Sequence, residues 1–188
     1  MFLFTLLFSF LLSSTPRLEG VSVGDFERFI NATQYITDAE RYGWSVVQQN
    51  VYEYEVVWGA FWCNPDGFNP PSSSKLPVTQ VSYNDALAYC KWAQVRLPTY
   101  DEYWQFAKLD ARLIQSENKG PIKPLEEVNI VGNVWDLTHL ENKKEQIRLA
   151  GGSIYCSVKT CHGTVPDREL FVDSETANYH IGFSVVIE

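Results

Sequence analysis

The sequence predicts an α+β domain in which short helices and short strands are joined by much irregular chain. Three observations support this class: helix-start signals recur along the chain, the strand-like apolar runs are short, and segments rich in Pro, Gly and Ser separate them. The 188 residues are 45% hydrophobic and 14% aromatic. That content is enough to fill the core of a single domain.

Four helix starts carry the same signal, a Ser or Thr followed three residues later by an acid. The hydroxyl can accept a hydrogen bond from the amide of the third helical residue, while the carboxylate returns to the amide of the capping residue. The acid also lies at the positive end of the helix dipole. The four pairs are Ser22 and Asp25, Thr37 and Glu40, Ser82 and Asp85, and Thr99 and Glu102.

Apolar residues at helical spacing set the expected helix lengths. We expect the first helix to reach about Asn31, the third to run from Tyr83 to about Ala93, and the fourth to reach about Leu113. The residues expected to face the core are Phe26, Phe29 and Ile30 in the first helix, Ala86, Leu87, Cys90 and Ala93 in the third, and Tyr103, Trp104 and Ala107 in the fourth.

Short runs of apolar residues predict strands at 51–58, 78–81, 146–150 and 182–187. Residues 64–75 (NPDGFNPPSSSK) have the composition of a turn-rich loop. Residues 114–127 form a polar connector that contains two prolines and a glycine. Because six tryptophans must be placed in a chain with so little regular structure, we expect the loops to be packed.

The N-terminal residues 1–16 carry no charged side chain, and residues 1–12 (MFLFTLLFSFLL) are almost wholly apolar. A spanning helix needs about 20 apolar residues, so no stable membrane span is expected. The run suits a signal peptide, with a buried strand or helix of the domain as the alternative. The glycosylation sequon Asn31-Ala32-Thr33 favours the signal peptide, because it is used only in a secretory compartment. The domain then covers residues 17–188.

The charge balance is acidic, since 15 Lys and Arg stand against 23 Asp and Glu, for a net charge of −8. A nucleic-acid partner bound through a basic face is therefore excluded. An acidic surface remains compatible with a protein substrate that carries a basic motif.

Two of the four cysteines, Cys156 and Cys161, lie in the segment GGSIYCSVKTC. Their spacing fits a local disulfide or two inert thiols, a redox-active disulfide, or a two-thiolate site for a soft ion such as Cu(I). A structural zinc site would need four ligands, and the other cysteines and histidines supply no second half. The three histidines fit no ligand spacing, and each is interpreted as a surface or core residue.

The segment NIVGNVWD places oxygen donors at intervals that could wrap one calcium ion. The alternative is an ordinary turn. The donors would be Asn129, Gly132, Val134 and Asp136. The spacing differs from that of an EF-hand loop, and the chain contains no glycine-rich phosphate loop, no G-x-S-x-G and no H-E-x-x-H.

Taken together, these segments resemble the formylglycine-generating enzyme, or sulfatase-modifying factor, family, over roughly residues 21–183. The stretch PVTQVSYNDALAYCKWAQVRLPTYDEYWQFA (Pro77 to Ala107) is similar to the family signature, and NIVGNVWDLT looks like its calcium loop. RLAGGSIYCSVKTC resembles its active-site strand and NYHIGF its closing motif. FINATQYITDAERYG and GAFWCNPDG extend the resemblance upstream.

The resemblance implies a variant of the C-type lectin fold with little regular structure and bound calcium. Active members of the family are copper-dependent oxidases, which in eukaryotes act in the endoplasmic reticulum. Using O2 and reducing equivalents, they convert the cysteine of a C-x-P-x-R motif in unfolded sulfatases into Cα-formylglycine. The implied partner is thus an unfolded sulfatase polypeptide, and the implied location is the endoplasmic reticulum lumen or the secreted fraction.

The resemblance also implies roles for single residues. Cys156 and Cys161 would be catalytic thiols and copper ligands, Ser153 the active-site serine, and Asn31 a glycosylated asparagine. Asn129, Gly132, Val134 and Asp136 would form one calcium site. The connector 114–127 replaces a longer family segment with a second calcium site, so that site is expected to be lost. The family's N-terminal strands are expected to be missing.

Two functional hypotheses follow from the resemblance. The first is an active enzyme, because both copper cysteines are present. The second is a non-catalytic member of the same fold that binds sulfatases or other peptides, or regulates the active enzyme. The presence of both cysteines favours the enzyme.

Overall fold

The computed structural model describes residues 15–50, 52–115, 120–156, 159 and 161–188. Short helices and short strands make up its regular structure, so the predicted α+β class is confirmed. In chain order the elements are β1 (Arg17–Gly20), α1 (Val23–Thr33), α2 (Asp38–Tyr42), β2 (Trp44–Gln48), β3 (Tyr54–Trp58), α3 (Tyr83–Ala93), α4 (Tyr100–Ala107), β4 (Trp135–Leu140), β5 (Lys143–Ala150), β6 (Phe171–Val172), β7 (Ile181–Gly182) and β8 (Ser184–Ile187).

All four predicted helix starts are confirmed, and each helix has both hydrogen bonds of its capping box. The expected fourth helix was too long. α4 ends at Ala107 instead of near Leu113, because the Asp110 carboxylate accepts a hydrogen bond from the amide of Arg112 at 3.0 Å and the chain turns there. Leu113 is consequently 77% exposed.

The expected core face of α3 was wrong at one position. Leu87 is 46% exposed, whereas Ala86 and Cys90 are buried. Successive helical residues are about 100° apart, so the residue after Ala86 points away from the buried stripe. Tyr89 lies in the core instead.

The strands form three sheets. β1 pairs with β8 and β2 pairs with β3, both antiparallel. The third sheet has the order β6-β5-β4-β7, in which β7 runs parallel to β4 and the other pairs are antiparallel. No local pattern predicted β1, whose pairing with β8 joins the two ends of the described chain.

Two of the predicted strands differ in the structure. The run 78–81 forms no strand, because Gln80 has a left-handed φ of 58° and its side chain accepts a hydrogen bond from Ser45 Oγ at 2.6 Å. The run 182–187 is divided at Phe183, which separates β7 from β8. The run 51–58 is a strand from Tyr54 onwards, with Val51 outside the described residues, and 146–150 lies within β5.

The main core lies between α1, α3 and the four-stranded sheet. Its aromatic centre includes Phe26, whose ring lies 5.3 Å from that of Phe29 and 5.6 Å from that of Trp62. A smaller cluster under α4 contains Tyr103 and Ala150, the last residue of β5. The end of β5 is held by both clusters, because Leu149 packs in the main core and Ala150 in the smaller cluster. The segment with the paired cysteines begins directly after it. Within the described ranges, no helix has the length and apolar content needed to cross a bilayer.

Candidate active site at a cysteine pair

A tight turn follows β5 and carries the chain into the cysteine segment. Gly151 and Gly152 have φ values of 83° and 69°, in the region that favours glycine. A Cβ added to Gly151 would lie 2.1 Å from the Tyr103 hydroxyl, and one added to Gly152 would lie 2.8 Å from the carbonyl carbon of Gly163. The diglycine is therefore required for close packing, and it sets the position of Ser153.

Cys156 and Cys161 are joined by a disulfide, with their Cα atoms 5.5 Å apart. Cys156 is 2% exposed and Cys161 is half-buried. Both line a cavity of about 260 Å³, the cysteine cavity, which is open to solvent on one side. The cavity is also lined by Gln48, Tyr54, Trp135, Leu149, Ser153, Tyr155, Arg168, Leu170, Val172, Thr176, Asn178, His180 and Ile181.

Ser153, the predicted active-site serine, is fully buried beside this pair. Its Oγ lies 4.0 Å from Cys156 Sγ, the outer limit for a hydrogen bond to sulfur. On its other side it lies 2.8 Å from Nδ1 of His180.

His180 is 5% exposed, and burial lowers the pKa of its imidazole to about 4. The ring is therefore neutral near pH 7 and carries a single N–H. Sequence reasoning interpreted His180 as a surface or core residue, because its partner Ser153 lies 27 positions away. The one available signal was its place in the NYHIGF segment.

Two buried polar atoms of the cysteine cavity have no hydrogen-bond partner, namely Arg168 Nε and Asn178 Oδ1. Unpartnered buried polar groups are costly. One is a donor and the other an acceptor, and both atoms are buried behind the surface of the cavity.

A second hollow, of about 290 Å³, adjoins the cysteine cavity at Thr176. Tyr42 and Trp44 line it with ring centroids 6.2 Å apart, and Asp173 and Glu175 supply carboxylates. The Tyr42 hydroxyl donates to Glu175 at 2.6 Å. An aromatic wall combined with carboxylates suits a cationic side chain.

The predicted calcium residues lie around a cavity of about 10 Å³, the size of one ion or one water. Asn129, Val134 and Asp136 line it, whereas Gly132 does not. Asp136 is 1% exposed, and burial raises its pKa to about 7. One of its oxygens accepts from Ser184 Oγ, and the other, Oδ2, lies near the Tyr103 hydroxyl without a well-formed hydrogen bond. A buried carboxylate beside an ion-sized cavity fits a bound cation.

Among the residues that the structure describes, the Asp136 cavity included, no three His, Cys, Asp or Glu side chains converge on a possible metal position. Asn31 is exposed in the last turn of α1, where a glycan would meet no obstruction from the core.

Comparison with known proteins gives a family match. The family model described as a sulfatase-modifying factor enzyme 1-like domain matches residues 7–115, more than half of the chain. The match begins inside the predicted leader and ends before Ser153, Cys156, Cys161 and His180. It therefore covers the scaffold and stops short of the cysteine segment.

Two relatives from Mus musculus are equally similar. The formylglycine-generating enzyme is 41% identical over 107 residues, covering 46% of this chain and 28% of that protein. The inactive C-alpha-formylglycine-generating enzyme 2 is 41% identical over 100 residues, covering 44% of this chain and 32% of that protein. The alignment thus spans less than a third of either relative, and sequence identity does not separate active from inactive members.

Among solved structures, PvdO from Pseudomonas aeruginosa has a TM-score of 0.59 at 14% sequence identity. The alignment covers 89% of this chain and 77% of PvdO. At this identity the likeness concerns the fold alone, and it extends the shared architecture beyond residue 115.

Proposed function

The chain belongs to the sulfatase-modifying factor family, and from this premise we propose that its cysteine cavity oxidises the cysteine of a C-x-P-x-R motif to Cα-formylglycine. One observation carries the proposal. The sulfurs of Cys156 and Cys161 meet at an open cavity large enough to admit a substrate side chain.

Reduction of the disulfide would give two adjacent thiolates, a soft donor pair that suits Cu(I). Cys156 and Cys161 would hold the ion, and the bound ion would supply activation of O2. The convergence of the two sulfurs at one wall of the cavity supports this donor set.

The overall reaction balances with a thiol reductant. The thiol-bearing methylene of the substrate becomes an aldehyde, and its sulfur leaves as hydrogen sulfide. One oxygen atom of O2 ends in the aldehyde while the other ends in water. Of the four electrons that O2 accepts, two come from the substrate and two from an external pair of thiols, which become a disulfide. The protein's own residues bind the substrate and exclude bulk water.

The hollow beside the cysteine cavity offers a binding site for the arginine of the C-x-P-x-R motif. Arg lies four residues after the cysteine, so in a fully extended peptide the Cα atoms of the two residues are at most about 14 Å apart. Tyr42 and Trp44 can stack on a guanidinium, and Asp173 and Glu175 can accept its hydrogen bonds.

We also propose calcium at the cavity beside Asp136, with Asn129 and Val134 as further oxygen donors. Gly132 was expected to join them but does not line this cavity. The proposed location is the endoplasmic reticulum lumen or the secreted fraction, supported by the apolar N-terminus and the exposed Asn31. Loss of an endoglycosidase-sensitive gel shift in Asn31→Gln would test it.

The activity is tested by incubating Cu(I)-loaded protein with a C-x-P-x-R peptide, O2 and a thiol reductant, followed by mass spectrometry of the peptide. Wild type should form formylglycine, and Cys156→Ser and Cys161→Ser should each abolish it. Cys63→Ser is the matched control, because this free thiol lies outside the cysteine cavity. Failure of wild type to convert the peptide would refute the proposal for this chain.

A non-catalytic peptide-binding role is the second candidate, because an inactive relative matches as well as an active one. It predicts that the double variant Cys156→Ser with Cys161→Ser keeps its affinity for the peptide. Trp44→Ala should weaken binding under either hypothesis, so formylglycine formation is the measurement that separates them.

A further inference from the structure

A buried chain of three side chains leads from His180 through Ser153 to Cys156. The distances are 2.8 Å from Nδ1 to Oγ and 4.0 Å from Oγ to Sγ. All three side chains are at least 95% buried. Bulk water therefore does not compete for these hydrogen bonds, and each proton must be shared within the chain.

The neutral imidazole of His180 allows two arrangements of these protons. In the first, Ser153 donates to an unprotonated Nδ1, and the sulfur receives no donor. In the second, Nδ1–H donates to Ser153 Oγ, which frees the hydroxyl proton to point at Cys156 Sγ. The two differ only in the histidine tautomer and the rotation of one hydroxyl.

The redox state of Cys156 decides which hydrogen bonds Ser153 can make. A disulfide sulfur is a weak acceptor, so the first arrangement suits the oxidised pair. Reduction gives Cys156 an S–H, which can donate to Ser153 Oγ while the serine hydroxyl donates to Nδ1 of His180. Reduction of the pair therefore completes the chain of hydrogen bonds.

We propose that His180 is a positioning residue: by accepting from the Ser153 hydroxyl it directs the serine oxygen toward Cys156, and the hydrogen bond from the thiol stabilises the reduced form of the cysteine pair. The inference depends on the proposed function in one respect, namely that the cysteine pair acts in its reduced form. Copper, O2 and substrate take no part in this equilibrium.

The test is the equilibrium of the metal-free protein with glutathione. The Cys156–Cys161 disulfide plus two glutathione thiols gives two protein thiols plus glutathione disulfide, so electrons and protons balance. Alkylation followed by peptide mass spectrometry reports this pair separately from Cys63 and Cys90. We expect His180→Phe to shift the equilibrium constant about tenfold toward the disulfide, equal to about 30 mV for a two-electron couple.

Three further variants make the result specific. Ser153→Ala should give the same shift, and the double variant should shift no further than either single one, since His180 acts through Ser153. His180→Asn can place an amide near the Nδ1 position and should restore much of the wild-type constant. If His180→Phe fails to fold, Ser153→Ala and His180→Asn still measure the effect.

A merely structural role for His180 would destabilise the oxidised and reduced proteins equally and leave the equilibrium constant unchanged. An unchanged constant, or additive shifts in the double variant, would overturn the inference. A shifted constant in a protein that forms no formylglycine would leave the inference standing and reject the proposed oxidase activity, so the two failures are distinguishable.

Discussion

The helical region, residues 17–115, and the site region, residues 120–188, are built by different means. The helical region contains α1 to α4, each with a complete capping box, and its aromatic core is closely packed. The described part of the site region contains strands and loops without a helix. Buried polar atoms without partners occur in both regions, in Trp62, Trp104 and Gln115 of the helical region and in Asp136, Arg168 and Asn178 of the site region.

Left-handed backbone in non-glycine residues occurs in both regions. In the helical region Gln34 and Gln94 are helix C-caps, whereas in the site region two such residues lie at the cysteine pair. Cys161 and His162 have φ values of 54° and 51°, which cost energy in residues with a Cβ. Such strain persists only where the surroundings hold it, and it often accompanies a functional site. The family match covers the helical region and stops at its end. The scaffold is thus the part shared most clearly in sequence, whereas the chemistry depends on the side chains of the site region itself.

The largest expected effect tests the helical region as the source of stability. Phe26→Ala removes a fully buried ring from the core and should lower the free energy of unfolding by about 3–5 kcal/mol, measured by urea denaturation. Phe68→Ala is the matched control, because Phe68 is 81% exposed and its loss should cost less than about 0.5 kcal/mol. Similar losses in the two variants would contradict this division of roles.

The second prediction uses pH to find the cost of burying His180. Its folded pKa of about 4 lies below the ordinary value near 6.5, so the unfolded chain binds the proton first. Stability should therefore fall as the pH drops from above 6.5 to 4, by about 3 kcal/mol in total. His180→Asn should lack this component, and His162→Asn, at an exposed position, should keep it.

The measurement is the difference between the wild-type and His180→Asn unfolding curves across this pH range. The difference is needed because burial raises the pKa of Asp85 to about 6. That carboxyl binds its proton first in the folded state, so its contribution to stability falls as the pH rises from 4 to 6. Parallel wild-type and His180→Asn curves would show that His180 is not buried as a neutral group.

Local signals predicted more of the helical region than of the site region. A capping box is complete within four residues, so the starts of α1 to α4 could be read directly from the sequence. The end of α4 depends on the Asp110 turn, whose backbone carbonyl also accepts from Asn129 at 2.7 Å. Contacts of this kind join positions far apart in the chain, and no local pattern contains them.

The candidate site shows the same limit. Cys156, Cys161 and Ser153 could be selected from one short segment, and three of the four predicted calcium residues line one cavity. His180 was missed, because only the fold brings it to Ser153. The aromatic hollow of Tyr42 and Trp44 was missed for the same reason, since its carboxylates come from beyond residue 170.

The third prediction removes the proposed calcium from the site region. Saturating calcium, at about 100 times its dissociation constant, should stabilise the protein by about 2.7 kcal/mol, seen as a rise in Tm that a chelator reverses. Asp136→Asn should abolish the response, because Asp136 supplies the only carboxylate among the described residues that line the ion-sized cavity. Glu141→Gln, at an exposed acid, is the control. A calcium response that survives in Asp136→Asn would place the ion elsewhere.

The smallest expected effect tests whether the stability of α4, in the helical region, is independent of the redox equilibrium of the cysteine pair, in the site region. α4 carries Tyr103 against Gly151, at the turn that leads to the cysteines. Thr99→Ala removes the cap whose Oγ1 accepts from the amide of Glu102 at 3.2 Å, and it should cost about 1 kcal/mol of unfolding free energy. Thr99→Ser keeps the hydroxyl and should cost little.

Because the cap stabilises α4 in both redox states, the glutathione equilibrium constant of the cysteine pair should not change in Thr99→Ala. A shift comparable to that of Ser153→Ala would mean that α4 and the cysteine pair act as one unit.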